Sequence, residues 1–532
     1  MAYVVTQACC ADASCVVACP VNCIHPTPGE PGFAEAEMLY IDPKSCVGCG
    51  ACVTACPVGA IKPESRLTPE EQPFSVLNAA YYDEYSHADR TPLALVPPQR
   101  RLVDPRPVRV AVVGAGPAGL YAADELLRHP EVSVDVLDRL PTPYGLLRAG
   151  VAPDHHHTKG AEKLFRAIEE QPGFRYLLGV EVGRDLTHAE LAEHYDAVIT
   201  CVGAAADKRL GVDGETLPGS LSATELVAWY NGHPERQDLD VPLDHERAVV
   251  IGTGNVALDV ARILTADPEA LARTDIASGP LDALAASDVR EVVVLGRRGP
   301  DDAAFTLPEL VGLAGLPDVD VLLDPGGADI TATGERGRLL RDLASRERRP
   351  GRRAIILRFH TQPVAVLGET RVEGLAVRGT HPTLTGAETL DTGLVLRAIG
   401  YHGKPVPGLP YDDVAGTVPN DRGRVEPGSY VAGWIKRGPT GFIGTNKSCA
   451  QETVTQLLDD LDAGLVPVPP RRGEDLRERL ADRGVDPIDL AGWRAIDRQE
   501  KHRGAISGRS RAKIVALDEL RAAATSSLRE TV

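Results

Sequence analysis

Nine of the eleven cysteines fall within the first 56 residues, and their spacing is that of thiolates gathered around iron rather than of disulfide staples. Cys46, Cys49, Cys52 and Cys56, with Pro57, run as C-x2-C-x2-C-x3-C-P, in which three thiolates wrap one cubane cluster and the fourth serves another. Upstream, Cys9, Cys15 and Cys19, with Pro20, keep that register, but Asp12 stands where the second cysteine belongs. Crosswise ligation gives one [4Fe-4S] cluster on Cys19, Cys46, Cys49 and Cys52, and a second cluster on Cys9, Cys15 and Cys56. With three thiolates, the second is either [3Fe-4S] or a [4Fe-4S] whose fourth iron takes an Asp12 oxygen or water. A structural zinc site competes but does not explain two such runs. Cys10 and Cys23 lie outside the register and read as packing thiols, Cys10 also as a substitute ligand. Cys201 and Cys449 are isolated and read as core thiols.

Two glycine turns carry the second chemistry. Gly114, Ala115, Gly116 and Gly119 form G-x-G-x-x-G between a β-branched run and an Ala/Leu-rich helical pattern, where backbone N–H groups and a helix start meet a pyrophosphate. The next strand, over 132–137, ends at Asp138, 22 residues beyond Gly116, where a carboxylate accepts from ribose hydroxyls, as in FAD or NAD. Gly252, Gly254, Asn255, Val256, Ala257 and Leu258 form the second turn, with Ala257 in place of the third glycine. Its partner strand, over 291–295, ends in Arg297 and Arg298 where an NAD site would carry an acid, which favours a 2′-phosphate and hence NADP. Three consecutive histidines, His155, His156 and His157, diverge too much to chelate one ion.

These motifs carry two resemblances. Residues 1 to about 62 resemble the bacterial two-cluster ferredoxins, especially the seven-iron type. The stretch PTPYGLLRAGVAPDH over 141–155, GNVALDVARIL, RRGPDDAAFTLPE and the glycine-rich run around Trp434 resemble adrenodoxin reductase and its bacterial relatives over residues 106 to about 465. The second resemblance implies that Leu146, Val180, Trp434, Gly441, Phe442 and Ile443 contact FAD and that His155 lies beside the flavin as the catalytic-site histidine. It also implies that Asn255, Val256, Ala257, Leu258, Arg297, Arg298, Glu309 and Gly441 contact NADP. Two departures stand out: Gly312 replaces a second acid three positions beyond Glu309, and Lys208 or Arg209 replaces an arginine near the domain crossover.

The elements that must position these residues follow from pattern. At 532 residues the chain exceeds a single core, and the texture changes twice along it. The fold class expected is multidomain: an α+β bacterial-type ferredoxin fold, then two interlocked Rossmann-like α/β domains of the adrenodoxin reductase type. The boundaries read as 1–62 for the ferredoxin domain, 63–105 for a proline-rich linker without regular structure, 106–206 with 400–532 for the FAD domain, and 207–399 for the NADP domain. The net charge of −18 repels nucleic acid, and no run approaches the roughly 18 apolar residues of a membrane span. A cytoplasmic chain without membrane insertion is expected.

Nicotinamide yields two electrons as hydride while clusters accept one at a time, so flavin must stand between them. The expected function is a ferredoxin–NADP reductase fused to its own ferredoxin, reversible, using FAD, NADP(H) and two clusters, with external ferredoxin or a cytochrome P450-type system as further acceptor. Two other readings compete: an electron-input subunit of a larger oxidoreductase, like the small subunit of glutamate synthase, and a non-enzymatic redox-sensing iron–sulfur flavoprotein.

Overall fold

The computed structural model describes residues 2–86, 100–383, 386–472 and 474–526. The first domain consists of two short antiparallel pairs, Tyr3–Val5 with Ile61–Pro63 and Ile24–His25 with Tyr40–Ile41, and two helical turns, Ser14–Ala18 and Ala51–Ala55, each running directly into a Cys-Pro pair. So little regular structure cannot bury much apolar area, which is why ligation must supply part of the stability of a domain this small.

The segment expected to be an unstructured linker departs from that expectation in part. Residues Gln72–Glu84 form a helix, because Pro73 sits in its first turn, where a missing N–H costs nothing. Asn78 on this helix accepts from the Val5 and Ile41 amides (3.1 and 2.9 Å) and donates to the Val5 carbonyl (2.9 Å). Tyr82 donates to the Cys23 and Tyr40 carbonyls (3.0 and 2.7 Å). The helix therefore ties both strand pairs together and belongs with the ferredoxin domain; linker residues 87–99 lie outside the described residues.

The next six-stranded sheet runs in the order Arg424–Glu426, Ser429–Val431, Ala197–Thr200, Val108–Val113, Val132–Asp138, Phe174–Leu178, parallel except at the first pair. Its central strands are buried on both faces, as β-branched runs in a helix-covered parallel sheet must be. Helices Pro117–Leu127 and Thr445–Asp462 pack against each other on one side, so the beginning and the end of the chain build one nucleotide fold. A second six-stranded sheet, all parallel, runs Ser220–Ser222, Leu394–Arg397, Arg247–Ile251, Glu291–Leu295, Arg353–Arg358, Val319–Asp324. Between the two sheets the chain crosses twice, on Ala206–Asp207 and Tyr401–His402, which pair antiparallel. Among the described residues no helix is long and apolar enough to cross a membrane.

One apolar core runs without a break from Val5, Ile41 and Leu77 of the ferredoxin domain into Val112 and Leu120 of the first nucleotide fold. The small domain is seated on the two nucleotide folds, with Leu307 and Val311 of helix Leu307–Ala314 packed against the same core.

Candidate cofactor and nucleotide sites

Cys19, Cys46, Cys49 and Cys52 line one small cavity with Tyr3, Val21 and Ile24, so the four thiols expected to hold the [4Fe-4S] cluster converge as a set. Their donor chemistry fits a cluster, since four sulfurs closing on one apolar pocket match four-thiolate ligation of a cubane. Cys23, read from sequence as a packing thiol, lines the same cavity with its Sγ 3.5 Å from that of Cys19. Cys9, Cys15 and Cys56 form the second group, close enough that, after burial, charge on Cys56 helps raise the Cys9 thiol and charge on Cys9 and Cys56 helps raise the Cys15 thiol. Burial pushes the Cys9 thiol up to about 12, so it keeps its proton unless metal displaces it. Asp12 is turned toward the helix start: its carboxylate accepts from the Ser14 amide (3.4 Å) and from the Ser14 hydroxyl. Cys201 and Cys449 are buried in the first nucleotide fold, where Cys449 Sγ accepts from the Gly433 amide (3.2 Å).

At the first glycine turn a cradle is cut into the backbone. Gly114 has φ +112 and lies against the Cys201 carbonyl, where no side chain fits. Gly116, Gly145 and Gly433 surround the start of helix Pro117–Leu127: a Cβ on Gly145 would lie 3.0 Å from Gly116 Cα, and one on Gly433 would lie 2.6 Å from Ala118 Cβ. No side chain caps this helix, leaving its first amides for an anion, so the cradle fits a dinucleotide pyrophosphate. Asp138 is held at the strand end by amides from Ala115 and Leu140 (2.8 and 2.9 Å), and the Val180 amide donates to its carbonyl (2.8 Å). Leu146 opens the short helix Leu146–Ala149 and is half exposed. Trp434 donates to the Thr440 carbonyl (3.0 Å) and packs on Tyr401, while Phe442 donates to Thr445 Oγ1 (3.0 Å) and Gly441 holds φ +78. Ile443 packs against the shared core.

The last amide of that turn does not face a flavin. Gly444 N donates to the Cys10 carbonyl (2.8 Å), and a Cβ on Gly444 would collide with the Ala11 carbonyl. The backbone beside Cys9 thus sits directly on the turn that carries Gly441, Phe442 and Ile443, a contact no spacing rule could reveal.

At the second turn Gly252 abuts the Ala398 carbonyl, while Gly254 faces open space and heads the uncapped helix Asn255–Thr265, which again fits a pyrophosphate. Val256 is half-buried, Ala257 and Leu258 fully buried, on this helix. Arg297 and Arg298 are exposed at the end of strand Glu291–Leu295, and among the described residues the Arg298 guanidinium makes only a 3.8 Å contact to the Asp302 carboxylate and a long bond to the Asp302 carbonyl. Lys208 is exposed at the crossover, with its amide on the Gly400 carbonyl (3.0 Å).

Between the two turns lies a charge network that sequence reasoning only half found. Arg262 pairs with Asp154 and Asp259 (2.6 Å each) and reaches Glu309 at 3.9 Å, with His155 Nε2 4.0 Å from Asp259. The clue was Asp259 and Arg262 at i, i+3 on the helix after the second turn. Burial and the Arg262 charge hold the His155 imidazole below its usual range, hence neutral at pH 7. His155, Asp259 and Glu309 approach closely enough to suggest a metal triad, but Arg262 already supplies the positive charge there. Glu309 is pushed up to about 8, by burial first and by Glu37 second.

The segment 39–62 matches the 4Fe-4S binding domain, and 108–289 matches the pyridine nucleotide-disulphide oxidoreductase family. The chain is 52% identical to the "Probable ferredoxin/ferredoxin--NADP reductase" of Mycobacterium tuberculosis, covering 100% of this chain and 96% of that protein. The protein of that name from Mycobacterium leprae is 49% identical, with 98% of both chains covered. The solved structure "Mycobacterium tuberculosis FprA in complex with NADPH" superposes with a TM-score of 0.74 at 43% identity, over 79% of this chain and 100% of that one. An N-terminal cysteine domain seated on two linked nucleotide folds, matched end to end, means that the chain belongs to the ferredoxin/ferredoxin–NADP reductase family.

Proposed function

We propose that the chain is an NADPH-dependent ferredoxin reductase that carries its own ferredoxin domain as first acceptor. The observation that carries this reading is the seating of Cys9 and Cys10 on the Gly441 turn through the 2.8 Å bond from Gly444 N to Cys10 O. When bound, the flavin supplies conversion between hydride and single electrons, and the clusters supply one-electron capacity. The protein supplies placement. Gly114, Gly116, Gly119, Asp138, Leu146, Val180, Trp434, Gly441, Phe442 and Ile443 would hold FAD, and Gly252, Gly254, Asn255, Val256, Ala257, Leu258, Arg297, Arg298, Glu309 and Lys208 would hold NADP(H). His155, neutral and braced by the Asp259–Arg262 pair, would line the face between them without carrying charge.

Cys19, Cys46, Cys49 and Cys52 would hold a [4Fe-4S] cluster. For Cys9, Cys15 and Cys56 the [3Fe-4S] form is favoured, because Asp12 is engaged by Ser14 instead of pointing away as a ligand. Cys49 is exposed and Val47 beside it is 62% exposed, which supports this rim as the exit to an external ferredoxin or a cytochrome P450-type acceptor. The proposed domains are 1–84 for the ferredoxin, 106–206 with 400–532 for FAD and 207–399 for NADP. The thiol-rich ligand set suits a reducing, cytoplasmic compartment.

The test is anaerobic stopped-flow mixing of the reconstituted holoprotein with NADPH or NADH. Flavin bleaching that prefers NADPH, followed by bleaching of the cluster absorbance, is expected. Flavin that stays oxidised with both nucleotides would remove the reductase reading and leave a sensor or a partner-dependent input subunit.

A further inference from the structure

Two polar side chains of the ferredoxin domain reach across into the second nucleotide fold. Glu37 Oε1 accepts from Asn255 Nδ2 (3.1 Å), and its other oxygen accepts from the Thr306 hydroxyl. Gln7 Nε2 donates to Glu309 Oε2 (3.2 Å), and the Gln7 amide fills the space over Gly312, 2.5 Å from where a Cβ would stand. Of the three residues so bonded, Asn255, Thr306 and Glu309, the first and last are nucleotide-contact positions in the reading above.

The engagement is complete at Asn255. Its amide has two N–H groups, one on Glu37 and the other on Thr306 Oγ1 (3.3 Å), while its Oδ1 accepts from the Thr306 amide (2.9 Å). With Glu37 seated, the Asn255 side chain has no donor left for a nucleotide. Glu37 also brings a carboxyl to the first residue of helix Asn255–Thr265, whose uncapped amides are built to receive anionic phosphate. The absence of a side chain at Gly312 acquires a cause here: any larger residue would expel Gln7.

We propose that Glu37 is a residue of the nucleotide site contributed by the ferredoxin domain, which competes with NADP(H) for Asn255, so that nucleotide binding and seating of the domain oppose each other. Linkage makes the effect reciprocal: whatever the seated domain subtracts from nucleotide affinity, bound nucleotide subtracts from seating. Glu37 thereby sets nucleotide affinity, and product release is assisted whenever the ferredoxin domain re-seats. This rests on the assignment of Asn255 and Glu309 to the nucleotide.

The experiment is calorimetric titration of NADP+ into the oxidised full-length holoprotein, a readout that requires no turnover. Glu37→Ala is expected to tighten NADP+ binding about tenfold, the worth of releasing one charge-assisted contact. Gly444→Ala provides a second route: residue 444 has helical φ and ψ, so the backbone itself tolerates alanine, while the added methyl collides with the Ala11 carbonyl and the Asp12 nitrogen and should tighten binding by unseating the domain at a distance from Asn255. Unchanged or weaker NADP+ binding in Glu37→Ala overturns the proposal. An Arg297→Ala, Arg298→Ala double variant separates the two levels. If it weakens NADP+ while Glu37→Ala changes nothing, only the competition is wrong; if it leaves NADP+ affinity intact, the nucleotide site itself is misassigned and both fall.

Discussion

At the scale of single residues, selectivity between NADPH and NADH rests on two guanidiniums that the fold leaves loosely held. Among the described residues the Arg298 guanidinium has no partner closer than the 3.4 Å Asp302 carbonyl, so a 2′-phosphate would not have to break a strong native pair to engage it. Arg298→Ala should lower kcat/KM for NADPH roughly 10- to 100-fold, the value of one charged hydrogen bond to phosphate, and leave NADH nearly untouched. Steady-state assays with an artificial electron acceptor and both nucleotides check this; equal losses for the two would place the arginine outside 2′-phosphate recognition. This residue was legible because arginine at a strand end after a glycine turn has a local pattern. Glu37 and Gln7 had none: each is an ordinary polar residue whose partner lies more than 200 positions away, and only the folded chain brings them together.

At the scale of elements, the C-terminal helices brace the segment that passes the flavin cradle. Glu500, on helix Leu490–Ile506, is fully buried and accepts from Arg148 (2.6 Å) and Arg511 (2.8 Å) and from the Ile514 amide (2.9 Å). Arg148 lies over the Trp493 ring, and Trp493 meets Tyr144 edge to face at 5.5 Å. Arg148 and Tyr144 flank Gly145 and Leu146, so this helix fixes the floor of the cradle. Glu500→Gln keeps the volume but leaves the Arg148 guanidinium against a neutral amide, while Arg511 retains Asp497 (2.7 Å) and Glu162 (3.2 Å); a loss of about 3 kcal/mol follows from breaking one side of a buried ion network. Denaturant titration followed by flavin fluorescence should show flavin released ahead of global unfolding. Wild-type release would show that the helix is an independent appendage. These C-terminal helices and their role were not legible in the sequence, since a buried charge reads the same as an exposed one until its partners are known. The Gln72–Glu84 helix was missed for the opposite reason: prolines around it read as breakers, although Pro73 occupies the one turn that tolerates it.

At the scale of the whole molecule, the ferredoxin domain is held by an apolar core shared with the FAD fold and by a polar clasp on the NADP fold, and the clasp is sensitive to protons. Burial pushes Glu37 up to about 7 and Glu309 up to about 8, the latter further raised by Glu37. The groups facing the pair are Arg262, 3.9 Å from Glu309, with Asp154, Asp259 and His155 around it, and the buried Tyr40 phenol beside Glu37; the neutral Gln7, Asn255 and Thr306 also contact the pair. In the unseated state both carboxyls return to water and titrate near their ordinary value of about 4.3. The seated state therefore holds more protons between about pH 4.5 and 8, and a state that binds more protons loses stability as pH rises through that window. Seating should be strongest at the acid end, weaken through neutrality and level off above about pH 8. Hydrogen exchange at the Gly444 amide, corrected for the intrinsic rate, reports seating directly through its bond to Cys10. Its protection should fall from about pH 6 to about pH 8.5, and in Glu37→Gln the slope should drop to about half, because one carboxyl instead of two releases its proton. A protection factor that is flat with pH, or a slope unchanged by Glu37→Gln, would mean that the clasp is not where the two halves of the molecule are coupled.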